Sequence, residues 1–438
     1  MIKKLRKKLN GDVHLKDLLK GSVITFFLKM GGMLLSYVLI YTISKKFGAE
    51  GVGEFNLFSQ ILTVLSMLVG LGLNITVLRY VGEFNNSQNS PKMHLLYKNF
   101  IKLVSPSSIF IGIAFFVFSN ELSSLIYDSN DKSFFFRILG LSLPFFAVNQ
   151  ISVEFIRGLK KLQISELIRS VLRPLVILIL IFAYDYKNLS TDNLLVMFFV
   201  GTLLNSIISS FSIWKNLKKT PKDLKVSFST SELLKTSFPI MAVSVSTALL
   251  TAVPIFVLDF FGTRDELGIF TVSYKLSQIV TVILLIINTM SAPKFAELFW
   301  ANKISELQKL LIQSSKIMFW IALFFSLILI LFSTNILSLF GGEFVHGSAV
   351  LSVLVIGQLI NAATGSVGVL LNMSGNQKIY RRVILIVVSI FIITCPIATI
   401  IFGMLGTAIT TSFSVILINI WLVVIVRKKL NIRTSFPL

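Results

Sequence analysis

Apolar residues in this chain run in long unbroken blocks, with neither the spaced stripe of a soluble helix nor the alternation of a half-buried strand. A helix needs about 20 apolar residues to cross the hydrocarbon core of a bilayer. The pattern predicts twelve such spans, at residues 22–43, 55–78, 99–119, 134–156, 162–183, 192–214, 233–258, 267–292, 315–340, 349–372, 381–402 and 405–426. The last two are separated only by Gly403 and Met404. No polar connection is long enough to fold as a domain.

The same order of blocks occurs twice. Leu18-Leu19-Lys20 leads into the first span as Leu233-Leu234-Lys235 enters the seventh. Phe47-Gly48 is followed by Gly53 and Phe55, and Phe261-Gly262 by Gly268 and Phe270. Arg157-Gly158-Leu159-Lys160 falls opposite Ser374-Gly375-Asn376-Gln377. The offsets lie between 214 and 217, so register is kept with few insertions. Six spans per copy is an even number, so both copies run the same way through the bilayer. That is the parallel kind of transporter repeat, in which a substrate path is expected at the interface of the halves near the midplane. The expected layout is a basic, loosely amphipathic segment at 1–20, a six-helix half at 21–214 and a polar linker at 215–232. A second six-helix half follows at 233–426, and a tail at 427–438.

Composition agrees with lipid as the solvent. Hydrophobic residues make up 54% of the 438 and charged residues 14%, where a soluble chain carries about a quarter charged. The net charge of +21 raises nucleic acid as a partner, but its distribution excludes that reading. The N-terminus, the even-numbered connections and the tail hold 29 of the 41 Lys and Arg residues, and the odd-numbered connections hold 5. This asymmetry places both termini in the cytoplasm, and the surplus charge meets anionic lipid. No cleavable leader is expected, and residues 1–20 are expected to lie on the inner membrane surface. Cys395 stands alone beside Pro396, and His14, His94 and His346 fall in three separate non-membrane segments. Neither a disulfide nor a metal site can be composed from them.

The seven basic residues left inside the spans carry the candidate chemistry. A charge at mid-bilayer costs about 2.5–3.5 kcal/mol on the insertion scale, so it faces a cavity or a partner. Glu166, Arg169 and Arg173 stand at i, i+3 and i+7 in the fifth span, one face of an ideal helix, and Pro174 predicts a bend there. Glu166 neutralising Arg169 is the plain structural alternative for that pair. Arg173 has no carboxylate near it in sequence, which favours a cavity. Lys29 in the first span precedes Gly31-Gly32, and snorkelling to the inner surface is its alternative. Lys275 in the eighth span corresponds through the repeat to Gln60, so both copies place a polar group at one depth, with Gln278 near. Asn74, Asn149, Gln150, Asn205, Asn288 and Asn361 are further polar candidates for lining a path or bonding helix to helix. Arg137 is shallow enough to snorkel, and Arg79 ends the second span as a topology anchor. Acidic groups are scarcer. Glu154, Glu166 and Asp259 are the candidates for holding a coupling proton or sodium ion, with an ordinary Glu154–Arg157 pair and an Asp259 helix cap as the plain alternatives. The cationic surplus predicts an anionic cargo.

Several stretches together resemble a known family. Lys29-x-Gly31-Gly32 followed by Phe47-Gly48-Ala49-Glu50-Gly51-Val52-Gly53-Glu54-Phe55 is similar to the opening of bacterial polysaccharide flippases, the O-antigen and repeat-unit translocases of the MATE-like MOP exporter superfamily. Gly70-Leu71-Gly72-Leu73 before Arg79-Tyr80, Phe155-Ile156-Arg157-Gly158-Leu159, Leu267-Gly268-Ile269-Phe270 with Tyr274-Lys275, Asn288-Thr289 with Pro293-Lys294-Phe295, and Met373-Ser374-Gly375-Asn376-Gln377 follow in the family's order, from about residue 20 to 426. The resemblance implies an all-α, V-shaped transporter of two six-helix halves in the bacterial cytoplasmic (inner) membrane. It implies movement of an undecaprenyl-diphosphate-linked sugar repeat unit from the inner to the outer leaflet, with the halves rocking about a central cleft. For Lys29, Arg173 and Lys275 it implies contact with pyrophosphate or acidic sugar. Arg169 joins them as a candidate for a cationic lumen, and Gln60, Asn74 and Gln278 are candidates for its polar lining. Ion antiport and a polysaccharide polymerase as partner are implied as well. No cofactor is expected beyond a coupling H+ or Na+.

Other classes compete. A multidrug exporter of the same superfamily needs carboxylates in its lumen to hold cations, and this chain is short of them. A lipid II flippase shares the pyrophosphate handle but typically carries two further helices. A major-facilitator carrier should show its Gly-rich signature in 79–98, and none is there. A membrane polymerase or ligase would need a large external loop, and the longest expected here, 120–133, is about a dozen residues.

Overall fold

A computed structural model describes residues 13–86, 92–184, 190–217 and 230–434. Residues 1–12 of the expected basic segment, 218–229 of the linker and 435–438 of the tail lie outside the described residues. All regular structure among the described residues is helical. In chain order the α-helices are α1 (Val13–Val69), α2 (Leu73–Asn86), α3 (Lys92–Val117), α4 (Ser119–Tyr127), α5 (Ser133–Gly158), α6 (Leu162–Glu166), α7 (Arg173–Ala183) and α8 (Thr191–Leu217). They continue as α9 (Thr230–Phe261), α10 (Arg264–Ser277), α11 (Val282–Trp300), α12 (Ile304–Leu331), α13 (Ser333–Ser338), α14 (Ser348–Thr364), α15 (Val367–Met373) and α16 (Gln377–Leu430).

Nine of the described helical stretches are long and apolar enough to cross a membrane, where the sequence pattern predicts twelve spans. The differences have local causes. Helices α1 and α16 each continue through a sharp bend at a glycine, Gly48 (φ 65°) and Gly403 (φ 56°). A side chain at that φ would be strained, so glycine lets the chain turn with almost no connecting loop. The fifth expected span is not one α-helix. It runs as α6, a π-helical turn at Leu167–Leu172, and α7.

The chain forms two compact units, one from Met1–Thr42 and Ile61–Val245, the other from Ile43–Gln60 and Ser246–Leu438. In the first, α5 is central and packs against α2, α3 and α8, and α7 lies on α8. Its core includes Phe100, Phe135, Leu139, Phe155 and Phe198. In the second, α14 and α16 pack together, with α12 on α14 and α15 on α16. Phe295, Leu307, Leu311, Val367, Leu371, Val387 and Leu422 form one of its cores.

The surface is that of a protein dissolved in lipid. Leu34, Phe110, Ile393, Ile400, Ile401 and Phe402 are more than half exposed, while Asn205, Gln358, Thr399 and Thr407 are buried. Inside, polar groups answer one another, as where the Thr399 and Thr407 hydroxyls meet at 2.7 Å. Exposed apolar surface on this scale has no stable place in water, and helices satisfy their own backbone in hydrocarbon. The protein is a multi-pass membrane protein.

Candidate functional site: an unpaired arginine in the N-terminal unit

The π-turn decides where the charges of the fifth span point. Pro174 has no N–H, and its ring collides with the carbonyl four residues back in a regular helix. The turn before it takes the wider i→i+5 pattern instead. Asn205 of α8 answers one carbonyl of that turn, its Nδ2 donating to Ile168 O at 3.1 Å. One residue added to a turn shifts helical register by about 100°. Glu166, Arg169 and Arg173 therefore do not share the single face expected from their spacing.

Each goes its own way. Arg169 pairs across to Glu154 of α5 at 2.6 Å, not to Glu166 as the spacing suggests. Glu154 also faces Arg157 at 3.6 Å, the ordinary pair expected one turn along α5. Glu166 accepts a hydrogen bond from Ser170 Oγ. Arg173 turns between two rings, its guanidinium carbon 5.2 Å from the centroid of Phe146 on α5 and 5.1 Å from that of Phe198 on α8. No carboxylate among the described residues pairs with it.

This is an electrostatically open site. Two ring faces stabilise the cation by about 0.5–2 kcal/mol each, but they occupy none of its N–H donors in the plane. A guanidinium with a free fork is suited to phosphate or carboxylate oxygens. Polar atoms without protein partners stand on the same helix faces. Asn149 is one turn from Phe146 on α5, Thr202 one turn from Phe198 on α8, and Asn149 Oδ1, Thr202 Oγ1 and Asn205 Oδ1 are all buried without a hydrogen bond.

Helix α1 approaches the π-turn closely. A Cβ built on Gly32 would stand 2.5 Å from Ser170 Cβ. Lys29 lies one turn before Gly32, is exposed, and has no carboxylate partner among the described residues. Asn74 is in the same unit, half-buried near the start of α2.

Lys275, Gln278, Gln60 and Asp259 belong to the other unit. Lys275 is half-buried near the end of α10, and Gln278 opens the 3-10 turn after it, its Oε1 accepting from Thr281 at 3.4 Å. Gln60 closes the stretch 43–60, and Asp259 lies near the end of α9. In the N-terminal unit, Arg137 donates to Ser119 Oγ and Asn120 Oδ1 of α4. Cys395 is buried and free, and no group of three His, Cys, Asp or Glu among the described residues could hold a metal.

Sequence reasoning missed Phe146, Phe198 and Thr202. They carry no local signal, because their role depends on which helices pack beside α7.

A family profile described as "Polysaccharide biosynthesis protein" matches residues 18–299. No curated protein matches the chain in sequence. Among solved structures, the chain is similar to an inward-facing multidrug resistance MATE family transporter of the MOP superfamily, with 13% identity and a TM-score of 0.77 over 93% of this chain and 98% of that one. It is similar to the lipid II flippase MurJ in an inward closed conformation, with 19% identity and a TM-score of 0.74 over 93% of this chain and 87% of the other. A MOP superfamily transporter from Pyrococcus furiosus, described by the reverse polarity of its binding pocket, matches with 15% identity and a TM-score of 0.68 over 94% and 96%. At these identities the likeness shows the fold, which is that of the MATE and MurJ transporters.

Proposed function

Because the chain belongs to the polysaccharide biosynthesis protein family, we propose that it is a flippase for an undecaprenyl-diphosphate-linked oligosaccharide repeat unit. It moves that unit from the inner to the outer leaflet of the bacterial cytoplasmic membrane by alternating access, with both termini in the cytoplasm. The observation that carries this reading is Arg173, a cation at membrane depth held by two rings and left without a carboxylate among the described residues. A cargo bearing a diphosphate supplies the missing counter-charge, and the fork geometry of the guanidinium fits its oxygens. Lys29 adds a second cation in the same unit, and Lys275 adds one in the other. Gln60, Asn74 and Gln278 supply neutral polar contacts for sugar hydroxyls. The sugar head travels among these groups while the polyprenyl tail stays in lipid, and the delivered unit passes to a polysaccharide polymerase.

The Glu154 pair supports coupling to H+ or Na+ as part of this reading. Arg169 is engaged by Glu154, so a cation that binds Glu154 releases Arg169 to the cargo. Glu166 and Asp259 are the other carboxylates able to take such an ion. A multidrug exporter would need an open carboxylate where this site has an open arginine.

The test is deletion of the gene with the lipid-linked glycan followed. The expected result is loss of polymerised surface glycan and accumulation of its undecaprenyl-linked repeat unit inside, reversed by the wild type and not by Arg173→Ala. Normal surface glycan with altered sensitivity to cationic drugs would overturn the flippase. Accumulation of lipid II instead of a glycan repeat unit would transfer the activity to peptidoglycan synthesis.

A further inference from the structure

Helix α16 ends in Arg427-Lys428-Lys429-Leu430, and Asn431 then reverses the chain in the left-handed region (φ 52°). The segment that follows is docked. Ile432 is 1% exposed and belongs to the core that holds Leu307, Leu311, Leu422 and Val426. The Arg433 backbone N–H donates to Gln308 Oε1 of α12 at 3.2 Å. The Thr434 carbonyl lies over the turn between α14 and α15, where a Cβ on Gly365 would come within 2.8 Å of it. Between this segment and α16 opens a groove of about 300 Å³ whose lining includes Ile420, Val423, Val424, Arg427, Arg433 and Thr434.

The groove has two chemically different ends. Ile420 and Val424 are one turn apart on α16 and both exposed, so they face hydrocarbon. Arg427 is seven residues beyond Ile420, about 10 Å along the axis at 1.5 Å per residue. Arg427 and Arg433 are exposed and pair with no carboxylate among the described residues, whereas Lys294 and Lys303 of the same unit are paired with Glu297 and Glu306. Neutralising the helix C-terminus is an ordinary duty for a basic residue. Lys428 and Lys429 already stand there, and Arg433 lies beyond the helix.

The independent observation is Thr434. The residue is 1% exposed, and its Oγ1 is buried without a hydrogen-bond partner. A buried hydroxyl left unmet costs about 1–3 kcal/mol, and Thr434 lines the groove, so a ligand atom there that accepts a hydrogen bond would satisfy it. The neighbouring Thr364 has no such need, because its Oγ1 donates to Asn361 O at 2.8 Å.

We propose that this groove binds one anionic phospholipid, its headgroup phosphate between Arg427, Arg433 and the Thr434 hydroxyl, and an acyl chain along Ile420 and Val424. Phosphate oxygens suit the paired arginines and accept from Thr434. The apolar end favours a lipid over a free anion, and basic residues at the end of a membrane helix are where anionic headgroups concentrate. The site shares no residue with the group around Arg173 and does not depend on the identity of the cargo.

The test is native mass spectrometry of the purified full-length protein with phosphatidylglycerol, phosphatidylcholine, undecaprenyl phosphate or inorganic phosphate added. The expected result is one retained phosphatidylglycerol, preferred at least tenfold over phosphatidylcholine. R427Q/R433Q should lose that preference, Thr434→Val should weaken it several-fold with both charges intact, and Arg173→Ala should leave it unchanged. Equal retention of both phospholipids, or wild-type retention by R427Q/R433Q, would overturn the proposal. Inorganic phosphate binding as tightly as phosphatidylglycerol would make it a plain anion site and overturn the lipid assignment. Preferred retention of undecaprenyl phosphate would reassign it to the cargo and overturn it equally. If the double variant does not fold, Arg433→Gln alone, which keeps the backbone bond to Gln308, decides the question.

Discussion

Asn56 Nδ2 donates to Thr271 Oγ1 at 3.1 Å, and these residues are 215 positions apart, the offset of the internal repeat. The same element shows two more contacts of this kind. Arg264 pairs with Glu50 at an offset of 214, and a Cβ on Gly53 would meet Gly268 N at 3.0 Å. All lie in the unit formed by 43–60 and 246–438. Contact between equivalent residues is what local two-fold symmetry produces, with the same patch used on both sides. Gln60 and Lys275 each lie one turn beyond this pair, on the same faces of their helices. The polar depth that the sequence places at these two positions is thus continuous with a repeat contact.

The close approach at Gly268 predicts a sharp contrast between two glycines. A Cβ there would sit 1.9 Å from Ala49 O, a backbone atom that cannot swing aside. Gly268→Ala should cost about 1–3 kcal/mol through overpacking. Gly31→Ala, with nothing within 4 Å of its Cβ, should be neutral or raise stability by up to about 1 kcal/mol through helix propensity. Thermal unfolding in detergent distinguishes them, and equal midpoints for both variants would refute the contact.

The Glu50–Arg264 pair predicts much less. Its side chains are 43% and 57% exposed, and exposed ion pairs contribute about 0–1 kcal/mol after screening. A double-mutant cycle on unfolding with Glu50→Gln and Arg264→Gln should return a coupling below about 1 kcal/mol, smaller still at high salt. A coupling of several kcal/mol would show that the pair is far less solvated than its exposure indicates.

The helical architecture and the repeat are legible in the sequence because both depend on local properties, the length of each apolar block and the spacing of Gly and Phe marks. The site is legible only in part. Arg173 stands out as a cation inside an apolar run, but its expected alignment with Glu166 and Arg169 assumed a regular helix. Pro174 gave the warning, and the irregularity falls in the π-turn before it, not at a simple bend. Nothing distinguishes Phe146 and Phe198 among 39 phenylalanines, since ring position is set by packing between separate helices. Gly48 and Gly403 are similar cases, where the sequence reads two spans and the backbone runs nearly continuously through a bend.

Substitutions around Arg173 separate charge from geometry. Arg173→Lys keeps the cation and loses the planar fork, so it should raise the cargo KM while retaining measurable turnover, and Arg173→Ala should abolish turnover. Phe146→Ala and Phe198→Ala should each weaken cargo binding by up to about 2 kcal/mol, the cation–π contribution of one desolvated ring. Binding of short-chain diphosphate lipids to the reconstituted protein reads these steps. Unchanged affinity in both phenylalanine variants would show that the rings do not position the guanidinium.

The Glu154–Arg169 contact makes the coupling idea testable without knowing the sugar. Glu154 holds two arginines, Arg169 at 2.6 Å and Arg157 at 3.6 Å, so Glu154→Gln leaves both cations without it. It should cost about 1.5–3 kcal/mol of stability, the range for hydrogen bonds to charged groups. It should also tighten binding of an anionic headgroup, because Arg169 is no longer engaged. Transport driven by a pH or sodium gradient should fall to the level seen without a gradient, since the carboxylate proposed to take the ion is gone. Glu166→Gln removes a carboxylate bonded to Ser170 and should leave the gradient dependence in place. Proteoliposome assays with and without each gradient decide between them. If Glu154→Gln keeps full gradient dependence and Glu166→Gln loses it, the coupling carboxylate is Glu166, and the Glu154 cluster is an ion pair that holds α5 to the fifth span.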